Sequence, residues 1–353
     1  MLLKPDWEDA QERFVAWWQG GHYRRGTFAI TAPRATDLPP VEPPSDVRAF
    51  WTDPDWRIAA AERRFAATWF CGEAFPYFDT NLGPGSLALY LGSEAALAKD
   101  TVWYLPLGRT PAEVPALRFD PENRWWRASR RLVEEGVRRG RGRYLTSFPD
   151  LIENLDIVSS LVGPQDTLYA LVDDPAGVKR LIGEVNELYF RCYDELYALL
   201  DGERLGSCFS AFQIWGPGKT AKVQCDASAM ISPAMFAEFV APALTEQLAR
   251  LDFSAYHLDG PEAVKHLDAL LGIPGLNAIQ WTPGAGQPGP GDPRWWPMYR
   301  RIQAGGKGLL LLGVEYGQVE PLARHLGPDG VYIGAHAPSL DAAKDLLYRA
   351  RTW

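Results

Sequence analysis

Short apolar runs alternate with amphipathic runs along the C-terminal half of the chain. Four of the apolar runs are "FSAYHLD" (253–259), "LNAIQWTPG" (276–284), "GLLLLGVE" (308–315) and "VYIGAH" (331–336), and a segment with helical spacing follows each of them. Strands that are apolar on both sides are typical of a parallel sheet covered on both faces. The pattern therefore predicts an α/β fold with at least five consecutive strand–helix units.

The N-terminal part has a different pattern. Residues 6–19 have the spacing of an amphipathic helix, 24–34 that of a short strand, and 34–46 form a Pro-rich loop. We divide the chain into an N-terminal helical extension with this loop (1–64) and a catalytic domain (65–353). The length of the second part and its strand–helix repeats predict a (β/α)8 TIM-type barrel.

A doubly wound open sheet is the alternative architecture. No GxGxxG motif opens a helix, so the dinucleotide-binding version of that fold has no support. The run "RLGSCFSAFQIW" (204–215) is predicted to form a single strand of the main sheet.

Composition narrows the class of protein. The 353 residues carry a formal net charge of -8, which argues against nucleic-acid and anionic-membrane partners. No apolar run reaches membrane-spanning length, and the N-terminus lacks the apolar core of a signal peptide. The four cysteines form no CxxC pair, as expected for a reduced cytoplasmic protein. Both a monomer and a homodimer remain open.

Polar or aromatic side chains follow nearly every predicted strand. In a barrel these positions converge on one mouth, where catalytic groups lie. A single Asp after a strand is more often a helix N-cap, but a full ring of such groups favours a site. The candidates are Asp79, Asn81, Asp150, Trp215, Gln224, Asp226, His257, Asp259, Gln280, Trp281, Glu315 and His336.

A metal site is the sharpest of these hypotheses. His257 and His336 both end strands, and Asp259 lies two residues after His257. Two imidazoles and one carboxylate are a ligand set for zinc with an open position, or for non-haem iron. The alternative is that Asp259 caps the next helix and His257 contacts the substrate directly.

Other candidates have acid–base or binding roles. Glu315 follows an apolar run, and burial there would raise its pKa and suit a general acid or base. Asp79 and Asp226 are the other candidate catalytic carboxylates. We assign substrate contacts to Asn81, Asp150, Gln224 and Gln280.

Tryptophan is unusually abundant, with fourteen residues, and core packing is its commonest role. The alternative is that Trp215 and Trp281 wall the pocket, where they could hold a quaternary ammonium group.

The chain resembles the uroporphyrinogen decarboxylase-like superfamily. Its most specific segment is "DASAMISPAMFAEFVAPAL" (226–244), which is similar to the Ser-Pro-x-Met-Phe segment of that family. "YHLDG" (256–260) occupies the place of the family's His-x-Cys-Gly turn, and "VYIGAHAP" (331–338) that of its last strand. The resemblance covers most of residues 65–350 and implies a TIM-type barrel.

The resemblance implies one of two chemistries. One is cofactor-free decarboxylation, for which Asp79 matches the catalytic Asp. The other is methyl transfer with a corrinoid partner protein, in which zinc activates a thiol in some members. The chain has no arginine-rich "RQAGRY" segment, so uroporphyrinogen itself is not expected as the substrate.

We therefore expect a methyltransferase that acts with a corrinoid protein, which carries cobalamin, on a small methylated substrate. His257, Asp259 and His336 would hold zinc or the substrate, although the family's cysteines are replaced. The alternatives are a carboxy-lyase that uses Asp79 and Asp226, and a non-catalytic small-molecule-binding barrel.

Overall fold

A computed structural model describes the whole chain, residues 1–353. The strands are β1 (Thr27–Pro33), β2 (Thr68–Gly72), β3 (Tyr77–Phe78), β4 (Glu94–Leu97), β5 (Val102–Leu105), β6 (Leu145–Thr146), β7 (Ser207–Phe209), β8 (Ile214–Gly216), β9 (Thr220–Gln224), β10 (Phe253–Asp259), β11 (Ala278–Thr282), β12 (Gly308–Val314) and β13 (Val331–His336).

The helices are α1 (Trp7–Trp18), α2 (Val47–Thr52), α3 (Pro54–Ala66), α4 (Ser86–Tyr90), α5 (Arg124–Gly140), α6 (Asn154–Val162), α7 (Pro164–Asp173), α8 (Pro175–Leu199), α9 (Gly202–Leu205), α10 (Pro233–Met235), α11 (Ala241–Leu248), α12 (Leu267–Leu271), α13 (Trp296–Ala304), α14 (Tyr316–Leu326) and α15 (Leu340–Arg349). Short 3₁₀ turns cover 226–230, 261–266, 293–295 and 350–352, and a π-helical turn covers 236–240.

Seven strands form the central sheet, in the order β2-β1-β13-β12-β11-β10-β9. All neighbouring pairs are parallel except β1 and β2, which are antiparallel. The predicted strands 253–259 and 331–336 are confirmed with the same bounds. The α/β class is therefore confirmed, and the carboxyl ends of β9 and β10 lie side by side.

The hydrogen-bonded ladders do not close into a barrel. β3 and β6 have two residues each and pair only with each other, while β7 pairs with β8. A single bridge between Phe148 and Phe209 links the segment after β6 to β7. The sheet therefore has edges at β2 and β9.

The predicted single strand 204–215 is wrong. The chain turns back after β7 and returns as the antiparallel strand β8. Gln213 has the left-handed φ of 52°, which a continuous strand does not allow. Because β8 runs back along β7, Trp215 lies beside Cys208 and not beyond the carboxyl end of β7.

Helix α1 packs on this hairpin. Trp7 and Phe14 are buried on one face of α1 and stack edge-on against Trp215, with centroid distances of 5.6 and 6.0 Å. Trp18 donates its indole N–H to the carbonyl of Trp215. The commoner role for the tryptophans, core packing, is thus the one that these residues have. None of the helices is long and apolar enough to cross a membrane.

Candidate functional site

The site is built where β9 and β10 end. Their register pairs Gln224 with His257, so Asp226 follows β9 at the level where β10 ends with Asp259. One ligand atom each from Asp226, His257 and Asp259 lies within 4.8 Å of the other two. Two carboxylates and one imidazole therefore converge at the carboxyl edge of the sheet.

Gln280 orients the imidazole of His257. Its amide nitrogen donates to the carbonyl of Trp281 at 2.8 Å and to the hydroxyl of Thr282 at 2.9 Å, so its amide oxygen faces His257 Nδ1. That oxygen only accepts, which places the proton of a neutral imidazole on Nδ1. Nε2 keeps its lone pair free for a metal or a substrate proton.

The surroundings keep this imidazole neutral. Desolvation lowers the pKa of His257, and the cation of Lys222 lowers it further, while Gln280 and Asp259 act in the opposite direction. Lys222 is buried and donates to both carboxylate oxygens of Asp150, at 2.8 and 2.7 Å. A buried ion pair therefore lies beside the cluster.

Asp226 holds its proton unusually well. Desolvation and the nearby carboxylate of Asp156 raise the pKa of Asp226 to about 7, although Lys222 opposes the rise. The residue as a whole is exposed, so solvent reaches one side of the cluster. Gln224 donates to its Oδ2 at 2.9 Å and limits its rotation. The carboxyl group is thus placed to bind a cation or to transfer a proton near neutral pH.

Three carboxyl side chains from the segment 150–156 hold β9 and the turn after it. Asp150 binds Lys222, and Glu153 accepts the backbone N–H of Gln224 at 2.6 Å. Asp156 accepts the N–H groups of Asp226 and Ala227, at 2.7 and 3.0 Å. This segment fixes the backbone that carries the Asp226 carboxylate.

Glu153 is fully buried, and its Oε2 has no hydrogen-bond partner. Burial raises the pKa of Glu153 to about 8, so the group is largely protonated at neutral pH. Two residues of the same segment, Ile152 and Asn154, have left-handed φ angles of 55° and 53°. Such strain persists only where the surroundings impose it, and it is frequent at functional sites.

A second network supports this segment. Asn81 donates to Ser210, and Ser210 donates to Asp79, at 3.2 and 3.1 Å. The side-chain oxygen of Asn81 also accepts the backbone N–H of Asp150. Asp79, Asn81 and Asp150, three of the predicted residues, are thus brought together.

A cavity of about 320 Å³ beside Asp79 has aromatic walls. Its aromatic lining residues are Phe50, Trp51, Trp56 and Phe78. Arg57 also lines it and donates to the carbonyls of Trp51, Asp79 and Asn81 at 2.8 Å. A guanidinium already lies among these rings, so the cavity suits an uncharged or anionic group better than a quaternary ammonium.

His336 is not part of the cluster. His257 is level with Gln280, Leu310 and Tyr332 across the sheet, and His336 lies four residues beyond Tyr332. That is roughly 13 Å further along its strand. Its Nδ1 instead lies 3.1 Å from the hydroxyl of Thr31. Asp226 takes the third place that the sequence assigned to His336.

Glu315 does not have the burial on which its acid–base role was based. β12 changes register between Leu311 and Val314, and Gly313 has a φ of 70°. This irregularity turns the end of the strand outward, and Glu315 is exposed with no side-chain hydrogen bond.

The two predicted tryptophan walls are also wrong. Trp215 is buried under α1, where its indole donates to the carbonyl of Leu205. Trp281 alternates with Gln280 on β11 and therefore faces away from His257, where its ring packs 5.0 Å from that of Trp295. Both side chains belong to the core.

Lys222, Glu153 and Asp156 were not predicted. Lys222 carried a signal, because a lysine inside an apolar strand is seldom buried without a partner. Glu153 and Asp156 carried none, since they precede or open a helix and look like its first-turn acids.

The donor set fits a divalent cation. Metal–ligand distances near 2 Å place ligand atoms about 3 to 3.6 Å apart, which small side-chain rotations of these residues reach. One imidazole and two carboxylates suit zinc, iron(II) or manganese. No thiolate is offered, because desolvation keeps the pKa of the buried Cys225 thiol well above its usual range.

The chain is similar in fold to a solved structure described as a methyltransferase from Methanosarcina mazei. The TM-score is 0.62 at 12% sequence identity, and the match covers 97% of this chain and 98% of that one. At this identity the similarity establishes the fold alone. No protein-family model and no curated protein sequence matches the chain.

Proposed function

We propose that the chain is a metal-assisted methyltransferase. The observation that carries the proposal is the convergence of Asp226, His257 and Asp259 at the carboxyl edge of the sheet. The similarity to a methyltransferase over nearly the full length of both chains supports the choice of reaction.

The protein's own residues have distinct tasks in this reaction. Asp226, His257 and Asp259 would hold the cation, and Gln280 would keep Nε2 of His257 available to it. A bound divalent cation supplies Lewis acidity at the substrate heteroatom that carries the methyl group. Lys222, paired with Asp150, lowers the pKa of His257 and so helps to keep this ligand neutral.

We infer the substrate class from the same site, and the acceptor from the resemblance of the sequence to corrinoid-dependent methyltransferases. The site is polar, which suits a methylated amine, alcohol or thiol. The methyl group would pass as a cation to the reduced cobalt of a corrinoid carried by a partner protein, which supplies the electron pair of the new bond. The substrate heteroatom would keep the electron pair of the broken bond, take up a proton from solvent and leave. This oxygen-rich donor set differs from thiolate zinc sites, so a hard oxygen or nitrogen substrate is favoured over a thiol.

Decarboxylation is the second candidate function. It is favoured by the raised pKa of Asp226, about 7, which leaves a proton available at neutral pH. In this reaction carbon dioxide leaves with the carboxyl carbon of the substrate, the electron pair of the broken bond stays on the substrate as a carbanion, and Asp226 gives its proton to that carbanion.

A methyl-transfer assay tests the proposal. The chain is mixed with reduced free cobalamin and methylated amines, alcohols or thiols, and methylation of cobalt is followed by absorbance. We expect H257A and D259N to lower the rate at least about 100-fold. H336A is the matched control, since it removes a histidine at the same edge but outside the cluster, and it should keep the wild-type rate.

Two results contradict methyl transfer. One is the absence of cobalt methylation with every methylated substrate, together with release of carbon dioxide from small carboxylic acids, which selects the second function. The other is a wild-type rate in H257A, which removes the cluster from the reaction.

A further inference from the structure

A cationic cavity lies at the amino ends of the parallel strands, opposite the end of the sheet that carries the cluster. It has a volume of about 670 Å³ and is lined by residues of α1, of the segment before β1, of the end of β2, and of α15 with the 3₁₀ turn that follows it. Arg24 and Arg25 precede β1, and Gly72 ends the antiparallel strand β2, so the cavity lies at the amino ends of the parallel strands. It is therefore separate from the cluster at the carboxyl ends of β9 and β10.

The charge of this cavity is opposite to that of the chain. Its lining has five basic residues and two acidic ones, in a protein with a net charge of -8. Arg24, Lys344 and Arg351 form no ion pair with any carboxylate. Of the two acidic lining residues, Asp6 is already paired with Lys4 at 2.9 Å, and only Asp9 is without an ion pair. Positive charge is thus left without a partner in the protein.

Arg13 is a nearly buried lining residue whose guanidinium is only partly hydrogen-bonded within the protein. It is only 8% exposed, and its Nε donates to Glu73, while its Nη1 and Nη2 have no acceptor. The same carboxylate accepts both terminal nitrogens of Arg25, at 2.7 and 2.8 Å. One fully buried carboxylate therefore faces two guanidinium groups, and a nearly buried charge is left uncompensated.

The local backbone is shaped for a close approach of these groups. Gly72 has a φ of 61°, and a Cβ there would lie 2.1 Å from the carbonyl of Phe28 and 3.3 Å from Nη2 of Arg25. The Arg13–Glu73–Arg25 group alone has a structural explanation, as a buried ion-pair network. That explanation does not extend to Arg24, Lys344 and Arg351.

We infer that this cavity binds a small polyanion with at least two phosphate or carboxylate groups. The free end of Arg13 has the planar geometry that holds two oxygens of one such group. Lys344 and Arg351, from the opposite wall, neutralise the second group. A ligand with a single negative charge would leave most of the excess charge unpaired.

Isothermal titration calorimetry with pyrophosphate and with citrate tests the inference and separates phosphate from carboxylate as the preferred group. The variant K344Q/R351Q removes two exposed cations that have no partner in the protein. The matched control K99Q/R118Q makes the same charge change at exposed, unpaired cations that do not line the cavity. We expect at least one of the anions to bind the wild type, about tenfold more weakly to K344Q/R351Q, and unchanged to the control.

The same titration on H257A shows whether the anion binds at the cluster instead. We expect H257A to bind the anion with wild-type affinity, because His257 lies at the carboxyl ends of the strands and the cavity at their amino ends. The inference is overturned if neither anion binds the wild type, if K344Q/R351Q binds as tightly as the control, or if H257A abolishes binding. Each outcome is independent of the methyl-transfer assay.

Discussion

The roles of single residues here depend on their neighbours more than on their identity. His257 is a metal-ligand candidate because Gln280 fixes its Nδ1 and leaves Nε2 free. The sequence located His257 and Asp259 correctly at a strand end. The sequence favoured His336 over Asp226 as the third ligand, because its pattern shows where strands end. It does not show the register that makes β9 and β10 neighbours.

Glu153 gives a prediction at this scale. Its pKa is about 8 in the folded chain, against an ordinary value of 4.5, so the folded state holds a proton that the unfolded state releases. The stabilisation that this proton gives is fully present below pH 4.5 and is lost as pH rises to about 8. E153Q stays neutral and lacks this loss.

Chemical unfolding between pH 5 and 8 measures the difference. We expect E153Q to gain stability relative to the wild type by about 1.4 kcal/mol per pH unit at the steepest point. E262Q, at an exposed glutamate with no hydrogen bond, is the matched control and should follow the wild type. A parallel pH dependence in E153Q and the wild type would show that Glu153 is ionised in the folded chain.

At the scale of elements, the sequence predicted the strands with clear apolar runs and missed those without. β10 and β13 have the predicted bounds, because apolar residues and following helices define both ends. The hairpin of β7 and β8 was missed because its turn, "SAFQ" (210–213), has no glycine or proline to mark it. The segment 150–156 binds β9 and the turn after it, and we call these contacts the clamp. The sequence could not predict the clamp, since its partners lie about 70 residues away in the chain.

The clamp predicts a cost for removing Asp156. D156A takes away the acceptor for the N–H groups of Asp226 and Ala227 and for the side chain of Gln224. We expect the free energy of unfolding to fall by about 1–3 kcal/mol, because these donors lose a charged acceptor. Urea unfolding measures it, with D173A, an exposed aspartate without hydrogen bonds, as the control. Equal stability of the two variants would show that the clamp is not needed.

At the scale of the whole molecule, the carboxyl ends and the amino ends of the parallel strands carry side chains of opposite charge. Carboxylates and one imidazole meet at the carboxyl ends, while unpaired cations meet at the amino ends. The sequence favoured the first because its residues follow strands. It gave no signal of the second, since Arg13 and Arg351 are separated by nearly the whole chain.

The metal content of the purified chain shows whether Asp226, His257 and Asp259 form a metal site. Wild type and variants are loaded with zinc, iron(II) or manganese, freed of loose metal by gel filtration, and analysed by mass spectrometry. We expect about one tightly bound ion per chain in the wild type and in H336A, and a loss of most of it in H257A and D259N. A wild type that retains no ion, or an H257A variant that retains as much as the wild type, would contradict a metal site formed by Asp226, His257 and Asp259.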